Sequence, residues 1–364
     1  MKIPYADLKA QYHSIQEEID AAISACIQNT TFIGGGPITE FERAFAAYAG
    51  AEFCIGCANG TDAIEIALNA LGVGPGDEVL VPALTWISTA GAVSNVGAEP
   101  IFVDVLEDER TMDPSMLEGQ ITKHTKAIIP VHLYGLPARM PEIMSVAQAH
   151  GLKVIEDSAQ AHGASIDGRM IGSFGDLATF SFYPGKNLGA YGDAGGIITN
   201  DEQLAERCRL LTNHGQLVKH DHKIIGRNSR LDTIQAAILK AKLPHMESWT
   251  NQRIRVAGLY SSLLKTVRTP KIKEGYRHVY HVYAIQSAKR DTLKSELDKE
   301  GIGNSIHYPN PLPHVPSYSY KNHKRGEFPV AEMLCNELLS IPIFAEIKDE
   351  QIEQVAAVLN AQND

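Results

Sequence analysis

Between residues 152 and 200 the chain sets two adjacent carboxylates, Glu156 and Asp157, at the end of a short apolar run. A lone lysine, Lys186, follows on the turn Pro184-Gly185-Lys186-Asn187-Leu188-Gly189, between strand-like runs at 178–183 and 196–200. An amine on a tight turn and an acid at a buried strand end suit pyridoxal phosphate (PLP). The amine would hold the cofactor as a Schiff base, and the acid would keep the pyridine nitrogen protonated so that the ring acts as an electron sink. An ordinary strand end and a solvated turn lysine account for the same two residues, so the pair alone leaves both readings open.

Other residues bear on the choice. The strand-like run 53–57 feeds Ala58-Asn59-Gly60-Thr61-Asp62. Free N–H groups and the dipole of a helix starting there favour phosphate, although a plainly capped helix fits as well. Trp86 presents a flat face to a pyridine ring or fills a core. His214, Lys219, His220, His222 and Lys223 make either a solvated loop or a partner for a phosphate-bearing substrate. Their irregular spacing argues against a metal site. Cys54 and Cys57 have CxxC spacing, but no second pair completes a zinc site, so they read as buried structural thiols. Gly34-Gly35-Gly36-Pro37 matches neither GxGxxG nor the P-loop and reads as a turn, and no GxGxxG follows the first strand, which counts against a nicotinamide oxidoreductase.

The elements that must position these groups alternate. Helical spacing is predicted over 12–28 and from Thr39 to Gly50, then strand 53–57 and a helix stopped by Gly72. Strands at 78–81, 100–103, 127–131 and 152–155 alternate with helices at 85–95, 114–120 and 141–150. This rhythm implies an α/β fold, a mostly parallel sheet covered by helices on both faces, with ligands at the carboxyl ends of the strands. Helices at 201–211 and 232–243 follow. From about 246 a helix (247–264), a strand (278–285), a helix (291–299) and a last helix (348–360) imply a small α+β domain. The expected division is therefore 1–245 and 246–364.

The 364 residues allow this two-domain plan. A net charge of −10 gives no nucleic-acid footprint, and no apolar run is long enough for a membrane span. Five cysteines and no signal-peptide pattern point to a cytoplasmic protein.

Taken in order, Asn59-Gly60-Thr61-Asp62-Ala63, Pro82-Ala83-Leu84-Thr85-Trp86, Val131-His132-Leu133-Tyr134-Gly135, Glu156-Asp157-Ser158-Ala159-Gln160, Ser181-Phe182-Tyr183-Pro184-Gly185-Lys186, Asn228-Ser229-Arg230-Leu231 and His307-Tyr308-Pro309 resemble the DegT/DnrJ/EryC1/StrS family of PLP-dependent sugar aminotransferases. The resemblance covers essentially the whole chain. It implies an aspartate-aminotransferase-like (fold type I) homodimer with shared active sites. Lys186 would be the Schiff-base lysine and Asp157 the partner of the pyridine nitrogen. Gln160 would contact the ring hydroxyl and Trp86 would stack on the ring. Gly60, Thr61 and Ser181 would hold the phosphate, with Asn228 reaching it from the neighbouring subunit. Tyr183, His214, Lys219, His307 and Tyr308 would face the substrate. No metal is implied.

The resemblance also implies that L-glutamate gives its amine to the cofactor, leaving pyridoxamine phosphate, and that a nucleotide-linked keto sugar takes it. The string from Phe180 to Ala190, and His214-Gly215-Gln216 with Arg230-Leu231-Asp232-Thr233, look like members that aminate C3, in UDP or dTDP sugars. Amination at C4, a keto-cyclitol substrate and a non-catalytic regulator are the alternatives. Asp193-Ala194-Gly195-Gly196 departs from the commoner GDGG or GEGG form. Ile341-Pro342-Ile343-Phe344-Ala345 lacks a proline common after that segment.

Overall fold

The computed structural model describes residues 2–361. In chain order the elements are α1 (Leu8–Ser14), α2 (Gln16–Gln28), α3 (Gly36–Ala49), β1 (Phe53–Cys57), α4 (Gly60–Ala70), β2 (Glu78–Pro82), α5 (Ser88–Asn95), β3 (Glu99–Val103) and β4 (Thr125–Ile128). Then come α6 (Met140–His150), β5 (Lys153–Asp157), the short pair β6 (Ser165–Ile166) and β7 (Arg169–Met170), β8 (Leu177–Ser181), β9 (Gly195–Thr199), α7 (Glu202–Thr212) and α8 (Thr233–Lys242). The remainder comprises α9 (Met246–Leu263), β10 (Tyr276–Arg277), β11 (Tyr283–Gln286), α10 (Arg290–Lys299), α11 (Pro329–Glu337), β12 (Leu338–Ile341) and α12 (Asp349–Asn360).

A seven-stranded sheet in the order β1-β9-β8-β5-β4-β2-β3 is the frame. β9 runs antiparallel to β1 and β8, and the other neighbouring pairs are parallel. Because side chains alternate along a strand, each strand feeds two cores. Ile155, Leu177, Ile197 and Val81 join one face with the buried residues of α4 and α5. Val154, Ile128 and Leu80 pack on the other face with Ile143 of α6. Phe180 and Ile198 do the same with Phe41 and Phe45 of α3. Cys54 and Cys57 belong to cores on opposite faces and both thiols are free, in keeping with structural thiols. A further core joins Ile3 to Tyr260, Tyr283, Leu297, Ile341 and Leu359. No helix among the described residues is long and apolar enough to cross a membrane.

The helix predicted over 12–28 is broken at Ile15, whose φ of −135° leaves the helical region while its side chain is buried with Ile19 and Ile238. The helix predicted at 114–120 is two single 3₁₀ turns, Pro114–Met116 and Glu118–Gln120. The strand predicted over 278–285 is divided. Val279 N and Val282 N donate to Gly135 O and Tyr134 O, and Tyr280 turns the chain with φ 46°, so pairing with a strand resumes only at Tyr283.

Candidate active site

Alternation decides between the two adjacent carboxylates. Glu156 shares the parity of Val154 and points to the α6 side of the sheet. Its Oε1 accepts from Phe174 N and Gly175 N, both at 2.7 Å, and its Oε2 from Gly172 N at 2.7 Å, with His132 Nε2 at 3.0 Å. That carboxylate is fully used in holding a loop. Asp157 shares the parity of Ile155 and emerges on the α4–α5 side at the strand's carboxyl end. Its Oδ2 accepts from Thr89 Oγ1 at 2.8 Å and its Oδ1 from Ala159 N at 3.2 Å. Burial pushes its pKa up, against the opposing pulls of Thr89, Ala159, Lys186 and His132.

Lys186 stands on the turn after β8, with its N–H donating to Tyr183 O at 2.8 Å. Its amine makes no hydrogen bond or ion pair among the described residues. Burial pushes its pKa down to about 8, while the charge of Asp157 holds it up. An amine in this state is neutral for a sizeable fraction of the time near pH 8, which makes it a competent nucleophile and base. Nearby, burial and the charge of Lys186 keep His307 at about 4 and His162 at about 3, so both imidazoles are neutral. The His162 ring packs among Phe45, Phe180 and Phe182, close to the Ser181 backbone.

Gly60 opens α4 at the carboxyl end of β1. A Cβ there would lie 2.8 Å from Ser181 Cβ, so the absence of a side chain lets the helix start approach the end of β8. Asn59 caps only Asp62 N, at 2.9 Å. The amides of Gly60 and Thr61 therefore have no hydrogen-bond partner among the described residues. The Thr61 hydroxyl donates to Ser88 Oγ at 2.8 Å. Trp86 is 56% exposed, which excludes a core role, and its ring centroid lies 5.7 Å from that of Tyr308. Gln160 accepts from Tyr134 N at 2.7 Å and donates to Tyr308 OH at 3.1 Å. His307 Nδ1 lies 2.8 Å from Ser340 Oγ, and its carbonyl accepts from Tyr134 OH.

The structure thus gathers Lys186, Asp157, Gln160, Trp86, Gly60, Thr61, Ser181, His307 and Tyr308 at the carboxyl ends of the sheet strands and the loops packed there. Tyr183 is exposed beside Lys186. Asn228 is exposed, with no side-chain hydrogen bond among the described residues, between Arg227, which is ion-paired to Glu65 of α4, and Ser229, which accepts from Ala58 N. His214 and Lys219 are exposed on the 213–226 loop and share no contact with the group. Among the described residues no cluster of His, Cys, Asp or Glu is fit to hold a metal ion.

Sequence reasoning missed Thr89 and Ser88. The only signal was spacing, since Thr89 lies four residues after Thr85 and their hydroxyls are 3.2 Å apart. The residues present fit PLP. Two free amides beside Ser181 suit a phosphate, an exposed indole suits a ring face, a buried carboxylate lacking a full cationic partner suits a pyridinium, and an uncommitted amine suits an aldehyde.

The description "DegT/DnrJ/EryC1/StrS aminotransferase family" matches residues 13–360. The chain is 47% identical over 360 residues to a "Pleiotropic regulatory protein" of Geobacillus stearothermophilus, covering 98% of this chain and 97% of that protein. It is 46% identical over 359 residues to the UDP-N-acetyl-3-dehydro-alpha-D-glucosamine 3-aminotransferase of Acidithiobacillus ferrooxidans, again covering 98% and 97%. S. venezuelae DesV, solved in complex with a ketimine intermediate, superposes with a TM-score of 0.97 at 41% identity, over 100% of this chain and 99% of that one. The chain belongs to the DegT/DnrJ/EryC1/StrS aminotransferase family, has its fold, and is a PLP-dependent enzyme.

Proposed function

We propose that this aminotransferase moves the amino group of L-glutamate to the C3 keto group of a nucleotide-linked sugar, for amino-sugar biosynthesis. The observation that carries the aminotransferase chemistry is the uncommitted, burial-shifted amine of Lys186 set opposite Asp157. C3 of a UDP sugar is supported by near-full-length similarity to an enzyme whose name specifies a UDP-linked 3-dehydro sugar and a 3-aminotransferase.

When bound, PLP supplies an aldehyde carbon for covalent linkage to amines and a cationic ring that withdraws electrons. Lys186 Nζ is the amine that would hold it covalently, and the same amine would serve as the base for the donor's Cα proton, a task its lowered pKa suits. Asp157 would hold the ring-nitrogen proton, with Thr89 and Ala159 N keeping the carboxylate ionised and oriented. The Gly60 and Thr61 amides and Ser181 would hold the phosphate, Trp86 would cover a ring face, and Gln160 would orient the ring edge. Tyr183, His307 and Tyr308 line the substrate side, and His214, Lys219 and Asn228 act across a homodimer interface. Leu217, Val218 and Ile225, exposed together on the 213–226 loop, support such an interface, since grouped exposed apolar side chains mark contact surfaces.

The test mixes enzyme, PLP and L-glutamate with 3-keto and 4-keto sugars in UDP and dTDP forms and follows amination by mass. Amination of a 3-keto sugar alone is the expected result. Amination of the 4-keto sugar alone would overturn C3. A protein that binds no PLP and aminates nothing would favour a regulatory role, which leaves the Lys186–Asp157 constellation without a use.

A further inference from the structure

The turn that carries Lys186 is gripped from two sides, and one grip is a second buried lysine. Ala190 N donates to Phe182 O at 2.8 Å, closing the turn, and a Cβ on Gly189 would overlap the Pro184 carbonyl. On one side Asn187 Nδ2 donates to Val279 O at 3.1 Å, with its Oδ1 3.2 Å from His281 Nδ1. On the other side stands α8. Lys242 Nζ donates to Gly189 O at 2.7 Å and lies 4.2 Å from the centroid of the Tyr191 ring. Gln235 Oε1 accepts from Tyr191 N at 2.8 Å.

Lys242 is 1% exposed and has no carboxylate partner among the described residues. A buried ammonium with one carbonyl and one aromatic face is costly to keep, because neither replaces its full hydration. A methionine would fill similar volume without that cost. What the ammonium adds is a charge-assisted hydrogen bond and a cation–π contact, both on the segment directly after Lys186.

We infer that Lys242 is a positioning residue for transamination: it anchors the Gly189 carbonyl and so fixes where the Lys186 amine stands relative to Asp157. The inference rests on the proposed role of Lys186. Small displacements of a reacting group are expensive, about a hundredfold for an error of about 1 Å, so a fixed turn matters to rate more than to binding.

Lys242→Met keeps the bulk and removes the donor. Two readouts are taken, steady-state kinetics and the pH-dependent labelling of Lys186 by an amine-reactive reagent in the cofactor-free protein, quantified by peptide mass. The expected result is kcat lower by about ten- to a hundredfold with both KM values within about twofold. The labelling rate of Lys186 at pH 8 changes by about fivefold or more, as its burial and its distance from Asp157 change. Tyr191→Phe, which keeps the aromatic face, matches the parent in both. Wild-type kcat together with wild-type labelling in Lys242→Met would overturn the inference. If Lys242→Met does not fold, Gln235→Leu loosens the same turn at Tyr191, and unchanged kcat and labelling there would overturn it equally. A labelling shift in a protein that never transaminates would support the positioning and refute the role of Lys186.

Discussion

Thr89 is the residue on which the state of Asp157 most depends, and Thr89→Val isolates it. The substitution keeps shape and removes the hydroxyl that donates to Asp157 Oδ2 at 2.8 Å. Asp157 is then left with the longer bond from Ala159 N, at 3.2 Å, inside a buried site that already pushes its pKa up. A hydrogen bond to a charged group is worth about 1.5–3 kcal/mol in favour of the ionised form, so its loss should raise the carboxyl's pKa further. The account requires the ionised form. Its population falls as pH drops through the pKa, so a higher pKa moves the acid limb of kcat/KM to higher pH by the same amount. At neutral pH the loss of the bond that fixes the carboxylate's orientation toward the ring nitrogen should cost about ten- to a hundredfold in rate. The assay is kcat/KM from pH 5 to 9 for both proteins, with circular dichroism to confirm the fold. An acid limb that does not move, with a rate within about twofold of wild type, would refute the argument.

The neighbouring acid should behave in the opposite way. Glu156→Gln sets an amide among three backbone N–H donors, so it should lower stability by about 3–5 kcal/mol in urea unfolding while the folded fraction keeps its cofactor affinity. Gly60→Ala forces α4 away from Ser181 and should weaken PLP binding about tenfold, read by equilibrium dialysis, with little change in thermal midpoint. The five buried thiols, with burial pushing Cys54 and Cys57 well above the ordinary thiol range, should react with a disulfide reagent only as the protein unfolds.

Much of the central sheet was legible because its strands are short apolar runs ended by turn residues. β1 falls at the predicted residues, and β2, β3, β8 and β9 within two of them. The Lys186 turn and the Asn59–Asp62 helix start were legible for the same reason, as Gly-rich breaks after such runs. What was not legible depends on the third dimension. Two adjacent acids look equivalent in sequence, and only the face each strand position takes separates a loop anchor from a site carboxylate. Thr89 sits in Ser-Thr-Ala-Gly, which reads as an indifferent helix start. β12 lies in Leu338-Leu339-Ser340-Ile341, where a short apolar run fits a helix end or a strand until β11 is beside it. Lys242 closes the apolar helix of 232–243 in the manner of a solvated C-terminal cation, yet the Gly189 carbonyl and the Tyr191 ring draw it inward.

Two lysines lie near the turn with pKa values pushed down to about 8, Lys186 and Lys242, and the account assigns the cofactor to the first. The direct test is to load the protein with PLP, reduce it with borohydride, digest it and locate the phosphopyridoxyl mass. The account predicts the modification on Lys186, a silent Lys186→Ala protein and an unmodified Lys242. Modification of Lys242 in its place, or transamination by Lys186→Ala, would contradict it.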